Sequence, residues 1–216
     1  VKTIITYNYD NLLELGLQKV LGDGNYFVPI YQKGNQLKEE ERPIYHVHGY
    51  IPIPDSGLPP SGYNEIILSE ESYHRTAQDA YYWGNMVQMQ HLSNNTGLMI
   101  GMSLSDRNIR RILDSLKSTP IKTHNFLITQ KPKQRMMDGC DQQFVRQKAE
   151  EYLDKFEKSG RKVLQMKTDF TVQRIADIIS HNEIDSFEED FQELGLDLIW
   201  FDEFDEIPAI LQEIAH

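Results

Sequence analysis

Residues 3–21, TIITYNYDNLLELGLQKVL, decide the fold, because they pass from a strand signature to a helix signature within a few positions. Thr3-Ile4-Ile5-Thr6-Tyr7 is rich in β-branched and aromatic side chains, which suit a pleated, half-buried segment. From Asp10 the period changes. Leu12, Leu13, Leu17, Val20 and Leu21 fall on one helical stripe that stops near Gly22. The same alternation continues downstream. Ile44–Val47 predicts a second short strand, and Ser69-Glu70-Glu71 an N-cap with an acidic first turn opening one helix that carries Tyr73, Ala77, Tyr81, Met86 and Met89. Gly97–Gly101 is a short apolar run bounded by glycines. Ser103–Asp106 then opens a helix with Ile109, Ile112, Leu113 and Leu116 on one face, closed by Pro120. A strand at Phe126–Ile128 ends in Thr129-Gln130. Further along, the pattern predicts helices at 144–156 and 172–179, strands at 163–166 and 196–201, and a last helix from Glu206.

Strands separated by helices argue for a parallel sheet covered on both faces, an α/β, Rossmann-like three-layer architecture. We expect residues 1–216 to form a single domain of this kind. The segment Pro52–Gly62 has four prolines, two glycines and two serines, a loop or lid composition expected to border a pocket mouth. Hydrophobic residues make up 39% of the chain, enough for a core and against intrinsic disorder. Lys and Arg number 22 against 33 Asp and Glu, a net charge of −11 that repels phosphate backbones and anionic lipid. Neither nucleic acid nor membrane is therefore an expected partner. The basic clusters Arg107/Arg110/Arg111 and Lys131/Lys133/Arg135 are local, and the acidic stretches 187–190 and 202–206 suit solvated surface. Cys140 is the only cysteine, which precludes an intramolecular disulfide and a multi-thiolate zinc site and fits a reducing, cytoplasmic setting. No apolar run approaches the ~20 residues that span a bilayer.

In an open α/β sheet, ligands lie beyond the carboxyl ends of the strands, and four such places carry chemistry. Thr6-Tyr7-Asn8-Tyr9-Asp10 leads from a strand into a helix. Asp10 could simply cap that helix, whereas the Asn8 amide can hold a sugar hydroxyl or a water. Tyr45-His46-Val47-His48-Gly49 is the second place; strand alternation would put His46 and His48 on one face. Two imidazoles without a third ligand make a poor metal site, so no metal is expected. A satisfied structural histidine suits His46 better than His48, and a general base beside Gly49, which lets substrate approach the backbone, suits His48. Third, Gly101-Met102-Ser103-Leu104-Ser105-Asp106 ends at a helix N-terminus, whose free N–H groups favour phosphate. The fourth is Thr129-Gln130, placed for a ribose or base edge.

Taken in order, TYNYD (6–10), HVHG (46–49) and GMSLSD (101–106) resemble the sirtuin superfamily, and more closely the sirtuin-like domains of bacterial antiphage defence proteins. Asp106, Asn108 and the closing Leu194-Gly195-Leu196-Asp197-Leu198-Ile199-Trp200 fit that likeness, which covers nearly the whole chain. The resemblance implies an NAD pocket and cleavage of the nicotinamide–ribose bond to nicotinamide and ADP-ribose, depleting NAD in defence. It implies that Asn8 and His48 are catalytic, with Asn8 positioning the ribose or attacking water and His48 acting as base on the ribose hydroxyls. Thr6, Asp10, Gly49, Gly101, Ser103, Thr129 and Gln130 would contact NAD, which is the substrate. A lone cysteine cannot supply the four-cysteine zinc module of protein-deacylating sirtuins. The family's opening strand and Gly-Ala-Gly turn are expected upstream of Val1, since Gly22-Asp23-Gly24 closes a helix and does not replace them. Residues 1–216 alone are accordingly expected to hydrolyse NAD negligibly. Two rivals stand beside the hydrolase: a non-catalytic nucleotide-sensing or assembly module, and transfer of ADP-ribose or an acyl group to protein. Expected partners are a second copy of the chain or a fused or associated sensor domain.

Overall fold

A computed structural model describes residues 1–22, 26–34, 37–54, 56, 64–79, 81–102, 104, 106–117, 124–131, 147, 151 and 187–215. They belong to two compact units, Val1–Asn94 and Asn95–His216, each with a three-stranded, all-parallel sheet and accompanying helices. The α/β class stands. The helix expected at 144–156, apart from the helical Gln147 and Glu151, the helix at 172–179, the strand at 163–166, Ser103, Pro120, Cys140 and most of the proline-rich loop lie outside the described residues.

The first unit runs β1 (Ile4–Thr6), α1 (Leu12–Leu21), β2 (Phe27–Ile30), β3 (Arg42–His46), α2 (Glu70–Gln78) and α3 (Trp83–Asn94). β3 is central: it pairs with β1 from Ile4↔Ile44 to Thr6↔His46, and with β2 from Phe27↔Arg42 to Ile30↔Tyr45. Strand β2 is absent from the sequence-based expectation because Pro29 interrupts its pattern. The sheet order explains its tolerance, since an edge strand can spare one ladder N–H. Ile44, Val47, Tyr50, Ile30, Tyr31 and Ile67 are buried here.

Helix α1 inverts the expected amphipathicity. Its stripe residues Leu12, Leu13, Val20 and Leu21 are exposed, while Glu14 is buried, as is Asn11 just before the helix. Asn11 Oδ1 accepts from Ile53 N at 2.9 Å and its Nδ2 donates to Ser56 Oγ at 2.9 Å, so the residue ties the helix entrance to the loop after β3.

The single helix expected from Ser69 to Met89 is two. Ser69 and Ser72 form a capping box that starts α2, as anticipated. The second helix begins after a turn in which Tyr82 N donates to Asp79 O at 3.1 Å. Asn85, buried in α3, donates through Nδ2 to Thr76 O at 2.8 Å and Asp79 O at 2.9 Å, satisfying carbonyls that α2 leaves open at its end.

In the second unit, β4 (Gly97–Ile100), α4 (Arg107–Lys117), β5 (Asn125–Gln130), β6 (Leu196–Phe201) and α5 (Ile207–Ala215) follow the sequence reading closely. β5 is central, with Gly97↔Asn125 and Asn125↔Leu196 opening its two ladders. Asn125 Oδ1 also accepts from Gly97 N at 2.8 Å, fixing where β4 starts. Ile109, Ile112, Leu113 and Leu116 of α4 are all buried; each full burial is worth about 1.5–3 kcal/mol. No helix among the described residues is long and apolar enough to cross a membrane. Replacing Asn85 with Ala is expected to cost about 1–3 kcal/mol, because the buried bond to the Thr76 carbonyl is lost. Urea denaturation of the variant against the parent protein measures the loss.

Candidate functional site

Strands β1 and β3 end side by side, since Thr6 is in register with His46, and the chain leaves both at the carboxyl edge where open α/β sheets receive ligands. The loop after β1 turns tightly: Thr6 Oγ1 accepts from Asn8 N at 3.1 Å. Asn8 is exposed, and its side-chain amide has no partner among the described residues. Asp10 Oδ1 accepts from Leu12 N at 3.1 Å, so the carboxylate serves the start of α1. On either side of Asn8 the tyrosines are anchored. Tyr7 Oη donates to Gln88 Oε1 of α3, and Tyr9 Oη donates to Ile67 O at 2.5 Å. Burial holds the Tyr9 phenol above its ordinary pKa, which keeps it a neutral donor.

His48 is half-buried among these groups. Tyr7 meets its ring edge-on with centroids 5.0 Å apart, Tyr73 of α2 does so at 6.4 Å, and Tyr9 lies tilted at 6.5 Å. The two aromatic neighbours of Asn8 in sequence are thus both ring neighbours of His48. The backbone after His48 is fixed as well: His48 O accepts from Ile67 N at 2.9 Å. Gly49 has φ +105°, and a Cβ there would lie 2.5 Å from Glu65 O. The close approach this glycine permits is therefore that of the chain's own Glu65–Ile66 backbone.

His46 has different neighbours from His48. The strand ends at His46, so alternation does not carry across to His48 and the shared face expected from sequence is not formed. His46 is fully buried; its Nε2 lies 2.6 Å from Glu14 Oε1 and its Nδ1 3.0 Å from Asn8 O. Glu14 Oε2 is buried with no hydrogen-bond partner among the described residues. Tyr50 packs edge-on against His46 at 4.7 Å and stacks on Tyr31 at 5.1 Å. Desolvation first, then the negative potential of Glu14 and Tyr31, pushes the Tyr50 phenol up to about 12. Glu14 had one visible sign in the sequence, a carboxylate inside Leu12-Leu13-Glu14-Leu15. Tyr73 and Gln88 had none, since they reach the site from α2 and α3 through tertiary packing.

The remaining candidates lie in the second unit. Gly101, φ +69°, is exposed with open space where a Cβ would stand, and Leu104 is buried with φ +51°. Ser103 lies outside the described residues. The N-terminus of α4 is already capped, for Asp106 Oδ1 accepts from Asn108 N at 2.7 Å and Ile109 N at 3.4 Å. These are donors a phosphate would otherwise use. Thr129 is half-buried; Gln130 is buried and its Nε2 donates to Asp202 O at 3.0 Å. Among the described residues no group of three or more His, Cys, Asp or Glu side chains is placed to hold a metal ion.

Gly49→Ala is expected to destabilise the first unit by about 1–3 kcal/mol through strain at positive φ and the clash with Glu65 O; thermal unfolding reads it. Tyr50 sets a pH dependence. Its folded pKa of about 12 exceeds the ordinary 10.0, so its stabilising contribution is complete below pH 10 and is lost as pH rises through 12. Tyr50→Phe should flatten stability against pH across that interval, measured by denaturant midpoint.

A family model described as the SIR2-like domain matches residues 2–158. No curated protein matches the chain. The match spans well over half of the sequence and both edge motifs of the first unit, and it shows that the chain belongs to the SIR2-like domain family, whose members use NAD.

Proposed function

We propose that this protein is an NAD+ hydrolase that cleaves the nicotinamide–ribose bond and releases nicotinamide and ADP-ribose, depleting NAD in defence against phage. The observation that carries the reading is the pairing at the β1 and β3 edge. An exposed asparagine whose amide has no partner among the described residues is flanked by two tyrosines whose rings both lie against one half-buried histidine. Family membership supplies the substrate class.

The bond to a cationic pyridinium breaks through a transition state of oxocarbenium character, so the protein's task is orientation, exclusion of water and acceptance of one proton. The Asn8 amide can hold a ribose hydroxyl or the attacking water through its carbonyl and amino groups. As the C–N bond breaks, its electron pair leaves with neutral nicotinamide, and the water oxygen bonds to the ribose carbon. The released proton passes to the His48 imidazole, directly or through a ribose hydroxyl. Histidine suits that step, since its ordinary pKa of ~6.5 leaves the free base available near neutrality. Tyr7, Tyr9 and Tyr73 limit water around the ring and fix its plane. Asp10, engaged with Leu12 N, shapes the loop that carries Asn8.

The test is incubation of the protein with NAD+ followed by product analysis. Free ADP-ribose and nicotinamide support hydrolysis, a labelled protein supports transfer, and bound but unchanged NAD+ supports a sensing module. In the first case, Asn8→Ala and His48→Ala should each lower kcat by roughly 10²–10⁴-fold with the fold intact by circular dichroism. Turnover unaltered in both variants would sink the assignment.

A further inference from the structure

We propose that Glu14 and His46 form a positioning pair that sets the Asn8 side chain for turnover, an inference that rests on the NAD+ hydrolase reading. The hydrogen-bond geometry assigns the protons. Asn8 O is only an acceptor, so the His46 Nδ1 that lies 3.0 Å from it carries a hydrogen. Nε2, 2.6 Å from Glu14 Oε1, then either accepts from a protonated Glu14 or donates to an ionised one. In both cases one proton is shared between Nε2 and Oε1, and the pair as a unit carries no net charge. That neutrality makes the burial of both side chains tolerable.

The arrangement is costly for a core that needs only packing, because Glu14 Oε2 is buried and has no hydrogen-bond partner among the described residues. Its geometric effect is specific. Asn8 N is held by Thr6 Oγ1, Asn8 O by His46 Nδ1, and the next carbonyl, Tyr9 O, by Ile51 N at 2.6 Å. Both peptide groups around Asn8 are therefore fixed, while its side chain has no partner among the described residues. Thr6 is a local anchor two residues away. His46 is the long-range one, linking the loop after β1 to β3 and, through Glu14, to α1. His46 also lies two residues before His48, and its carbonyl accepts from Gly49 N at 3.2 Å. One buried pair thus sets the position of the asparagine loop relative to the turn that carries the histidine. Pre-orientation of this kind acts on the transition state more than on substrate affinity.

The experiment uses the full-length protein with NAD+ and four variants, reading kcat, KM, melting temperature and amide hydrogen exchange over residues 8–10. Glu14→Ala should lower kcat by roughly ten- to a hundredfold with KM nearly unchanged. Glu14→Gln, which still offers His46 Nε2 a hydrogen-bond partner, should recover most of that loss. His46→Asn puts an amide nitrogen near the Nδ1 position, whereas His46→Gln puts one near Nε2. The asparagine variant should therefore retain more turnover than the glutamine one. Exchange over residues 8–10 should be faster in the variants that lose kcat. Isosteric variants no better than Glu14→Ala, or exchange over residues 8–10 unchanged in all four, would overturn the proposal and leave the pair as core packing. If the unsubstituted protein does not turn over NAD+, the hydrolase reading fails by itself, and exchange over residues 8–10 alone then decides whether the pair holds the loop.

Discussion

The contact between Glu14 Oε1 and His46 Nε2, 2.6 Å long and sealed from solvent, ties α1 to β3 in the first unit. A carboxylate facing the sheet turns α1 about its own axis, so the leucine stripe that would ordinarily meet a core points outward. The same contact orients the His46 ring and, through Nδ1, sets the path of the chain at Asn8. Apolar packing alone would turn α1 the other way, with its leucine stripe inward, whereas a hydrogen bond to Glu14 is directional and holds the observed rotation. The polar interior of this unit includes Asn11, Asn85 and Gln88 as well, each buried and each hydrogen-bonded to a loop, a helix end or a neighbouring tyrosine. They specify geometry where the short strands β1 and β2 supply little area.

Much of the second unit was legible in the sequence because its signals are local and agree with one another. The α4 face Ile109, Ile112, Leu113 and Leu116 repeats at helical spacing, and its burial follows. Strands β4, β5 and β6 stand where short apolar runs and a glycine boundary put them. In the first unit, local signals conflict with the tertiary outcome. Pro29 hides β2, whose pairing with β3 is a property of the sheet edge and not of the segment. The break between α2 and α3 has no proline to mark it, and Gly84 sits just inside α3; Asn85 reaches back across the break to Thr76 and Asp79.

The site divides along the same line. Asn8, Asp10 and His48 could be picked out from motif order, and the ring contacts of Tyr7 and Tyr9 follow from their place beside Asn8. The relation of His46 to His48 could not be, since strand alternation holds only while the strand lasts, and it ends at His46. Nor could the choice for Asp10 between a ligand contact and a cap, which rests on one hydrogen bond to Leu12 N. Gly49 is instructive in another way. A glycine after a histidine suggests room for a substrate, yet the space is taken by Glu65 and Ile66, and positive φ already accounts for the residue.

Asp106 places a limit on how the second unit can meet an anion. A helix N-terminus attracts phosphate through unpaired N–H groups and the positive end of its dipole. At α4 an aspartate carboxylate already accepts from Asn108 N and Ile109 N, so those donors are taken and a local negative charge stands there. A phosphate approaching the loop between β4 and α4 would gain from the remaining backbone donors only by keeping clear of that carboxylate or displacing it. The loop backbone is itself unusual. Gly101 has φ +69° with open space around it, and Leu104 holds φ +51° while buried, a conformation that costs a side-chain-bearing residue energy. Burial of the Leu104 side chain offsets that strain. Around Gly101 itself the space is open, so close approach to that glycine's backbone meets no side chain, whereas at the start of α4 an approaching anion meets the Asp106 carboxylate.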